Sequence, residues 1–156
     1  MTAQSGCVLA LSGGVGGAKL SLGLDRVLPP GDLHVLANTG DDFEHLGLSI
    51  SPDIDTLLYT LSGRSNQTLG WGLEGESWNT MEALEALGGD TWFRLGDRDI
   101  ATHLWRTERL AGGADLAAVT QEWQGIVAEA GGKLVGLMAL VGLVGLVLLI
   151  GLVVLV

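Results

Sequence analysis

The run Cys7-Val8-Leu9-Ala10-Leu11-Ser12-Gly13-Gly14-Val15-Gly16-Gly17-Ala18-Lys19-Leu20-Ser21-Leu22-Gly23-Leu24 decides the fold class. Cys7 to Leu11 is continuous and apolar, with the length and character of a buried strand. Glycines 13, 14, 16 and 17 crowd the next stretch. Apolar residues then return at helical spacing through Leu24. Strand, glycine loop and helix in that order open a Rossmann-like α/β unit.

Working outward, Pro29-Pro30-Gly31-Asp32 breaks the chain, and Leu33 to Ala37 reads as a second short strand. Asn38-Thr39-Gly40-Asp41-Asp42 is then the loop at its carboxyl end, the edge where open α/β sheets bind ligands. Ser51-Pro52-Asp53 is a helix start signal, with a helix from Asp53 to Leu61. Gly63 to Gly75 is polar and glycine-rich, hence a loop. Trp78 to Leu87 is an amphipathic helix ended by Gly88-Gly89. Trp92 to Leu95 reads as a short strand. Asp99 to Leu110 reads as a helix stopped by Gly112-Gly113, and Ala114 to Glu129 as another. No internal repeat recurs at a fixed period.

The whole chain has 156 residues, enough for one domain with a single core. Its formal net charge of −10 and the lack of any Lys/Arg cluster exclude non-specific nucleic-acid binding, which draws its affinity from cations on phosphates. A compact pocket for one nucleotide remains compatible with that charge. Cys7 is the single cysteine, so no intrachain disulfide forms, and a reducing cytoplasm is the expected compartment. Its apolar surroundings predict a buried structural thiol. The N-terminus carries no secretion signal.

The tail is a different material. Leu134 to Val156 has no charged or polar side chain. As a helix it would be roughly 34 Å long, enough to cross a hydrocarbon core of about 30 Å. The expectation is therefore an apolar C-terminal helix that offers a membrane contact. Lys133 alone is too little charge to set an orientation. A buried strand–helix pair is the plainer reading, and low-complexity text from a frame error or truncated gene model is a third.

Three clusters carry chemistry. Gly13, Gly14, Gly16 and Gly17 let the backbone approach an anion, which the amides and dipole of the following helix would hold; a tight turn is the alternative. The spacing is neither G-x-G-x-x-G nor a Walker A loop. Asp41 and Asp42, with Asp53 and Asp55 further on, are hard-oxygen ligands suited to Mg²⁺, or partners for an attacking alcohol or a sugar hydroxyl. The alternative is a solvated loop and a helix cap. Asp97-Arg98-Asp99 forms a mixed-charge turn before a helix, with His103 one turn on from Asp99. Arg98 there is a phosphate clamp or one member of a structural ion-pair turn. Most of the five tryptophans should be core; Trp71 is the best candidate to stack on a planar ligand, with packing as the plainer alternative.

Taken in order, Ser12 to Leu20, Asn38 to Asp42, Gly47 to Thr56, Gly70-Trp71-Gly72 and Leu95 to His103 make a series that resembles the CofD family of 2-phospho-L-lactate transferases, over about Val8 to Thr120. The Ser-Pro-Asp-Ile-Asp and Gly-Asp-Arg-Asp segments are the specific ones. The resemblance implies a cytoplasmic, Mg²⁺-assisted transferase of coenzyme F(420) biosynthesis. Such an enzyme moves a 2-phospholactyl or phosphoenolpyruvyl group from a guanosine diphosphate-linked donor to the deazaflavin Fo, releasing GMP.

Onto matching positions the resemblance carries substrate contacts from Gly13, Gly14, Gly16, Gly17, Lys19, Asn38, Thr39, Asp53, Arg94 and Asp97. It carries catalytic roles to Asp53, Asp55, Arg98 and His103, and metal ligation to Asp41, Asp42 and Asp55. Family members continue past Thr120 with a further α/β stretch that Gln121 to Val156 does not match. The chain is accordingly read as an incomplete Rossmann-like parallel sheet with flanking helices over 1–120, a connecting segment over 121–133, and the tail over 134–156. An open half-sheet favours pairing as a homodimer. The alternative function is a truncated, inactive nucleotide-binding module tethered to a membrane by its tail.

Overall fold

A computed structural model of the protein describes residues 7–129, 136–139 and 152–155. Strand β1 (Val8–Ser12) buries Val8, Ala10 and Ser12 and leaves Leu9 and Leu11 partly covered. Helix α1 (Gly14–Val27) crosses to strand β2 (Leu33–Ala37), which lies parallel to β1 with Val8 opposite Leu33 and Ser12 opposite Ala37. This is the βαβ unit expected from the opening run. Cys7 itself is exposed, not buried, because the strand begins one residue later.

The tail departs from its expectation. Residues Gly136–Ala139 form strand β5, parallel to β2. Residues Leu152–Leu155 form strand β6, antiparallel to β1. The sheet order is β5-β2-β1-β6. Both segments are therefore strands, where an apolar helix was expected. The paired Val153 and Val154 favour a strand over a helix in β6, and β1 and β2 alone would leave two unpaired edges for both segments to cover. Among the described residues no helix is long and apolar enough to cross a membrane. The rest of 134–156 lies outside the described residues.

A hairpin follows the main βαβ unit. Strands β3 (Phe43–His45) and β4 (Leu48–Ile50) pair antiparallel through Leu46 and Gly47, at φ +55° and +73°. Two positive φ values in a two-residue loop match the twist of a hairpin. Helices α2 (Pro52–Leu61), α3 (Asn79–Ala86), α4 (Asp97–Ala111) and α5 (Leu116–Glu129) complete the described fold. Trp92 to Leu95 is not a strand. Phe93 instead packs edge-on to Phe43, with centroids 5.0 Å apart, and Leu95 is buried. Helix α5 runs without a break across the boundary expected after residue 120.

Two cores result. Val8, Ala10, Leu33, Val35 and Ala37 of the sheet meet Ala18 of α1 and Ile54, Leu57, Leu58 and Leu61 of α2. Leu48 and Ile50 of the hairpin meet Met81 of α3 and Leu95. Between the cores, α2 and α4 face each other through polar side chains, described next.

Candidate functional site

Asp53 stands in the first turn of α2 and joins two segments far apart in sequence. The Gly14 amide, at the start of α1, donates to Asp53 Oδ1 at 2.6 Å. Asn38 Nδ2, just after β2, donates to Asp53 Oδ2 at 2.9 Å and to Asp41 Oδ1 at 3.1 Å. The Gly40 amide in turn donates to Asn38 Oδ1 at 3.0 Å. The glycine-rich segment and the Asn38–Asp42 loop are thus fastened together at the carboxyl ends of β1 and β2.

The glycines lie otherwise than expected. Only Gly13 precedes the helix; Gly14, Gly16 and Gly17 form its first turn. Gly14 holds φ +63°, the left-handed region open to glycine. A Cβ on Gly17 would stand 2.6 Å from Ser12 Oγ and 3.1 Å from Ser12 Cα, so its absence lets α1 sit close on β1. The helix start carries outward amides and a partial positive charge, and the Asp53 carboxylate meets one of them.

The expected trio of metal ligands does not assemble. Asp55 turns away to Arg106, with which it forms a buried pair through both carboxylate oxygens. Among the described residues no group of three or more His, Cys, Asp or Glu side chains is placed to hold an ion. What the residues do form is a pair. Asp41 and Asp53 converge on one Asn38 amide. Burial first, then the neighbouring Asp53, pushes the Asp41 carboxyl up. Asp42 Oδ2 accepts from Ser51 Oγ at 2.7 Å, while its buried Oδ1 has no partner; burial pushes this carboxyl up to about 6. Mutually repelling carboxylates with an orphaned oxygen beside them fit Mg²⁺, which takes one or two carboxylates and completes its shell with water and substrate phosphates.

A cavity of about 220 Å³ opens nearby, lined among others by Asp55 and Tyr59 of α2, Trp71, Phe93, Arg94, and Asp99 and His103 of α4. Aromatic side chains share its lining with aliphatic, polar and charged ones. Tyr59 donates its hydroxyl to Asp99 Oδ1 in a short hydrogen bond. Burial, opposed by that bond, holds the Asp99 carboxyl up at about 7, with Asp55 and Glu76 adding to the rise. Burial, then Asp55 and Asp99, also holds the Tyr59 phenol well above its usual range. His103 lies 3.7 Å from Asp55 and 3.3 Å from Arg106 Nη1, and burial lowers it to about 4, so it is neutral at pH 7. Burial works against the Arg106 charge, but Asp55 outweighs it and raises the guanidinium.

Other expected site residues separate. Asp97 is a helix cap for α3. It accepts from Ser77 Oγ at 2.6 Å, from Thr80 N at 2.9 Å and from Asn79 N and Nδ2 at 3.2 and 2.9 Å, which hold its carboxyl well below the usual range. Arg98 donates to the Glu74 carbonyl at 3.1 Å, and its side chain does not line the aromatic cavity. A neutral His103 likewise gives no charge to a diphosphate. Arg94 does line the cavity, with its guanidinium 4.6 Å from the Trp78 ring centre. Lys19 is exposed beside a second hollow that shares Thr56, Tyr59, Trp71 and Gly72 with the first. Thr39 sits half-buried in the loop, its carbonyl accepting from the Asp42 amide at 3.3 Å.

Sequence reasoning missed Tyr59, Glu76 and Arg106. Glu76 accepts from the Arg98 and Asp99 amides at 2.9 Å each, which starts α4 two residues earlier than expected. Local pattern offers no sign of these three, since Glu76 meets Arg98 and Asp99, Tyr59 meets Asp99, and Arg106 meets Asp55 across 22 to 51 positions.

Comparison with known proteins gives a consistent result. Residues 8–135 match the family described as 2-phospho-L-lactate transferase CofD, extending past the Thr120 limit read from the sequence. A phosphoenolpyruvate transferase of Streptomyces avermitilis is 49% identical over 115 residues, covering 73% of this chain and 36% of the relative. Proteins of that name from Nocardia farcinica and Mycolicibacterium smegmatis are 46% and 42% identical, covering 75% of this chain and 37% and 40% of their own length. The chain spans somewhat over a third of the length of these curated relatives.

Proposed function

The chain belongs to the CofD family, and from that premise we propose that it provides the acceptor-side and part of the donor-side machinery of a phosphoenolpyruvyl transferase acting on the deazaflavin Fo. The relatives' shared name favours the phosphoenolpyruvyl donor over the 2-phospholactyl one. The observation that carries the reading is the Asp53 bridge, which brings the α1 N-terminus and the Asn38–Asp42 loop to one edge beside an aromatic cavity.

In this reading the ring of Fo enters the cavity beside Trp71 and Phe93. Its ribityl chain reaches toward Asp53. The donor's diphosphate lies at the α1 N-terminus, with Lys19 one turn along. The terminal ribityl hydroxyl attacks the phosphorus that bears the enolpyruvyl group. The P–O bond to the guanylyl phosphate breaks, GMP leaves, and the hydroxyl proton passes to water. Asp41 and Asp53 would hold Mg²⁺, which supplies charge neutralisation on the phosphates. Positioning and neutralisation dominate chemistry of this kind, which suits a site of fixed carboxylates and backbone amides.

Incubation of the chain with Fo, the guanosine diphosphate-linked donor and Mg²⁺, read by mass spectrometry for the phosphodiester and for GMP, tests the proposal. Equimolar formation of both, lost in Asp53→Asn, is the expected result. Product formation that survives Asp53→Asn at the wild-type rate overturns the assigned site.

A further inference from the structure

The aromatic cavity contains a buried carboxyl that the proposed transfer does not use. Asp99 lines it and is buried, with 7% of its surface exposed. Its Oδ1 accepts the Tyr59 hydroxyl, and its amide is held by Glu76. These two contacts fix the carboxyl within the cavity lining. It therefore shares that lining with Trp71, Phe93 and Arg94. We propose that Asp99 is a specificity-determining residue, which reads the imide edge of a planar heterocycle, an N–H flanked by two carbonyls, by donating through Oδ2 and accepting in return. This rests on the reading of the cavity as the acceptor site, and it names the part of the acceptor that the site recognises.

The chemistry follows from what surrounds the carboxyl. A carboxylate only accepts hydrogen bonds, and two flanking carbonyls of an imide would repel it. A protonated carboxyl both donates and accepts, and so complements an imide through two parallel hydrogen bonds. Every charged or titratable neighbour bears on that proton. Tyr59 and Asp55 face Asp99 from α2, Glu76 from the segment before α3, Arg94 from the segment before α4, and His103 and Arg106 from α4 itself. Asp55 and Glu76 oppose ionisation and Arg106 favours it, while burial opposes it most. The balance leaves the carboxyl changing state near neutral pH, as a residue selecting by its proton requires.

The test compares Fo with its analogue methylated at the imide nitrogen, by fluorescence titration of the intact chain at pH 6 and pH 8. Fo should bind the wild type about tenfold more weakly at pH 8, because the competent, protonated fraction falls by that factor. The methylated analogue should bind weakly at both values. Asp99→Asn keeps a donor and an acceptor, so it should bind Fo at pH 8 as well as at pH 6. Any pH dependence left in that variant belongs to Fo itself.

Equal binding of Fo and the methylated analogue by the wild type overturns the assignment of Asp99 and leaves the transferase reading standing. So does a pH dependence unchanged in Asp99→Asn. Failure of Fo to bind the wild type at either pH overturns the acceptor-site reading and this inference together. The analogue comparison needs no variant, so it holds even where Asp99→Asn fails to fold.

Discussion

Two glycines one residue apart in α1 should respond to alanine with opposite sign. A Cβ on Gly16 would meet nothing within 4 Å. Gly16→Ala should therefore gain the helix propensity of alanine, about 1 kcal/mol. A Cβ on Gly17 would stand 2.6 Å from Ser12 Oγ, 3.1 Å from Ser12 Cα and 3.3 Å from Ser12 C. The hydroxyl can rotate aside, but the two backbone atoms belong to β1 and cannot. Gly17→Ala gains the same propensity and loses about 1–3 kcal/mol to overpacking. The propensity terms cancel between the two variants, so their stabilities should differ by that overpacking cost alone. Urea unfolding followed by tryptophan fluorescence measures it, as a change in midpoint at constant slope. In Tm the separation is roughly 2–4 °C for each kcal/mol. Adding Ser12→Ala to Gly17→Ala removes the 2.6 Å contact but not the backbone ones, and should recover only part of the loss. Equal stability of the two glycine variants would refute the close seating of α1 on β1.

Other outcomes follow from the buried network. Arg106→Met leaves Asp55 buried without its counter-ion and should cost about 3–5 kcal/mol in urea unfolding, much of it regained in the Asp55→Leu double variant. Asp99 has a folded pKa of about 7, above its unfolded value of about 3.9, so the native state binds the extra proton between them and stability falls as pH rises through that window. His103, lowered to about 4, acts in the opposite sense across its own window below 6.5. The clean observable is therefore a difference: Asp99→Asn should gain stability relative to wild type at pH 8 over pH 5, and His103→Gln should gain at pH 4 over pH 8, both read by urea unfolding. Trp71, 45% exposed on the cavity wall, should contribute about 1 kcal/mol of stacking to Fo, so Trp71→Ala should weaken Fo binding roughly fivefold in a fluorescence titration without lowering Tm.

The parts of the fold that were legible are those where pattern and partner are close in sequence. The run from Val8 to Leu24 carries its own strand and helix periods, and β2 follows across a Pro-Pro-Gly break. The hairpin was not legible, because its turn places Leu46 rather than Asn or Asp in the left-handed region, so the usual turn signal is missing. The tail misled because an unbroken apolar stretch has no period; only the open edges of β1 and β2 make strands of Gly136–Ala139 and Leu152–Leu155. Asp41 and Asp53 stand out in the sequence by residue type, and Asn38 supplies the link between them. Asp55 and Asp97 look like ligands in sequence, yet one neutralises Arg106 and the other caps α3, through contacts 51 and 17 to 20 positions away.

In the proposed reading, these residues assemble an acceptor site fastened by Asp53. Fluorescence titration of the intact chain with Fo in the presence of Mg²⁺ tests it most directly. Saturable binding that weakens in Asp53→Asn, with the variant's unfolding midpoint near that of the wild type, is the predicted result. No binding of Fo by the folded wild-type chain would contradict it.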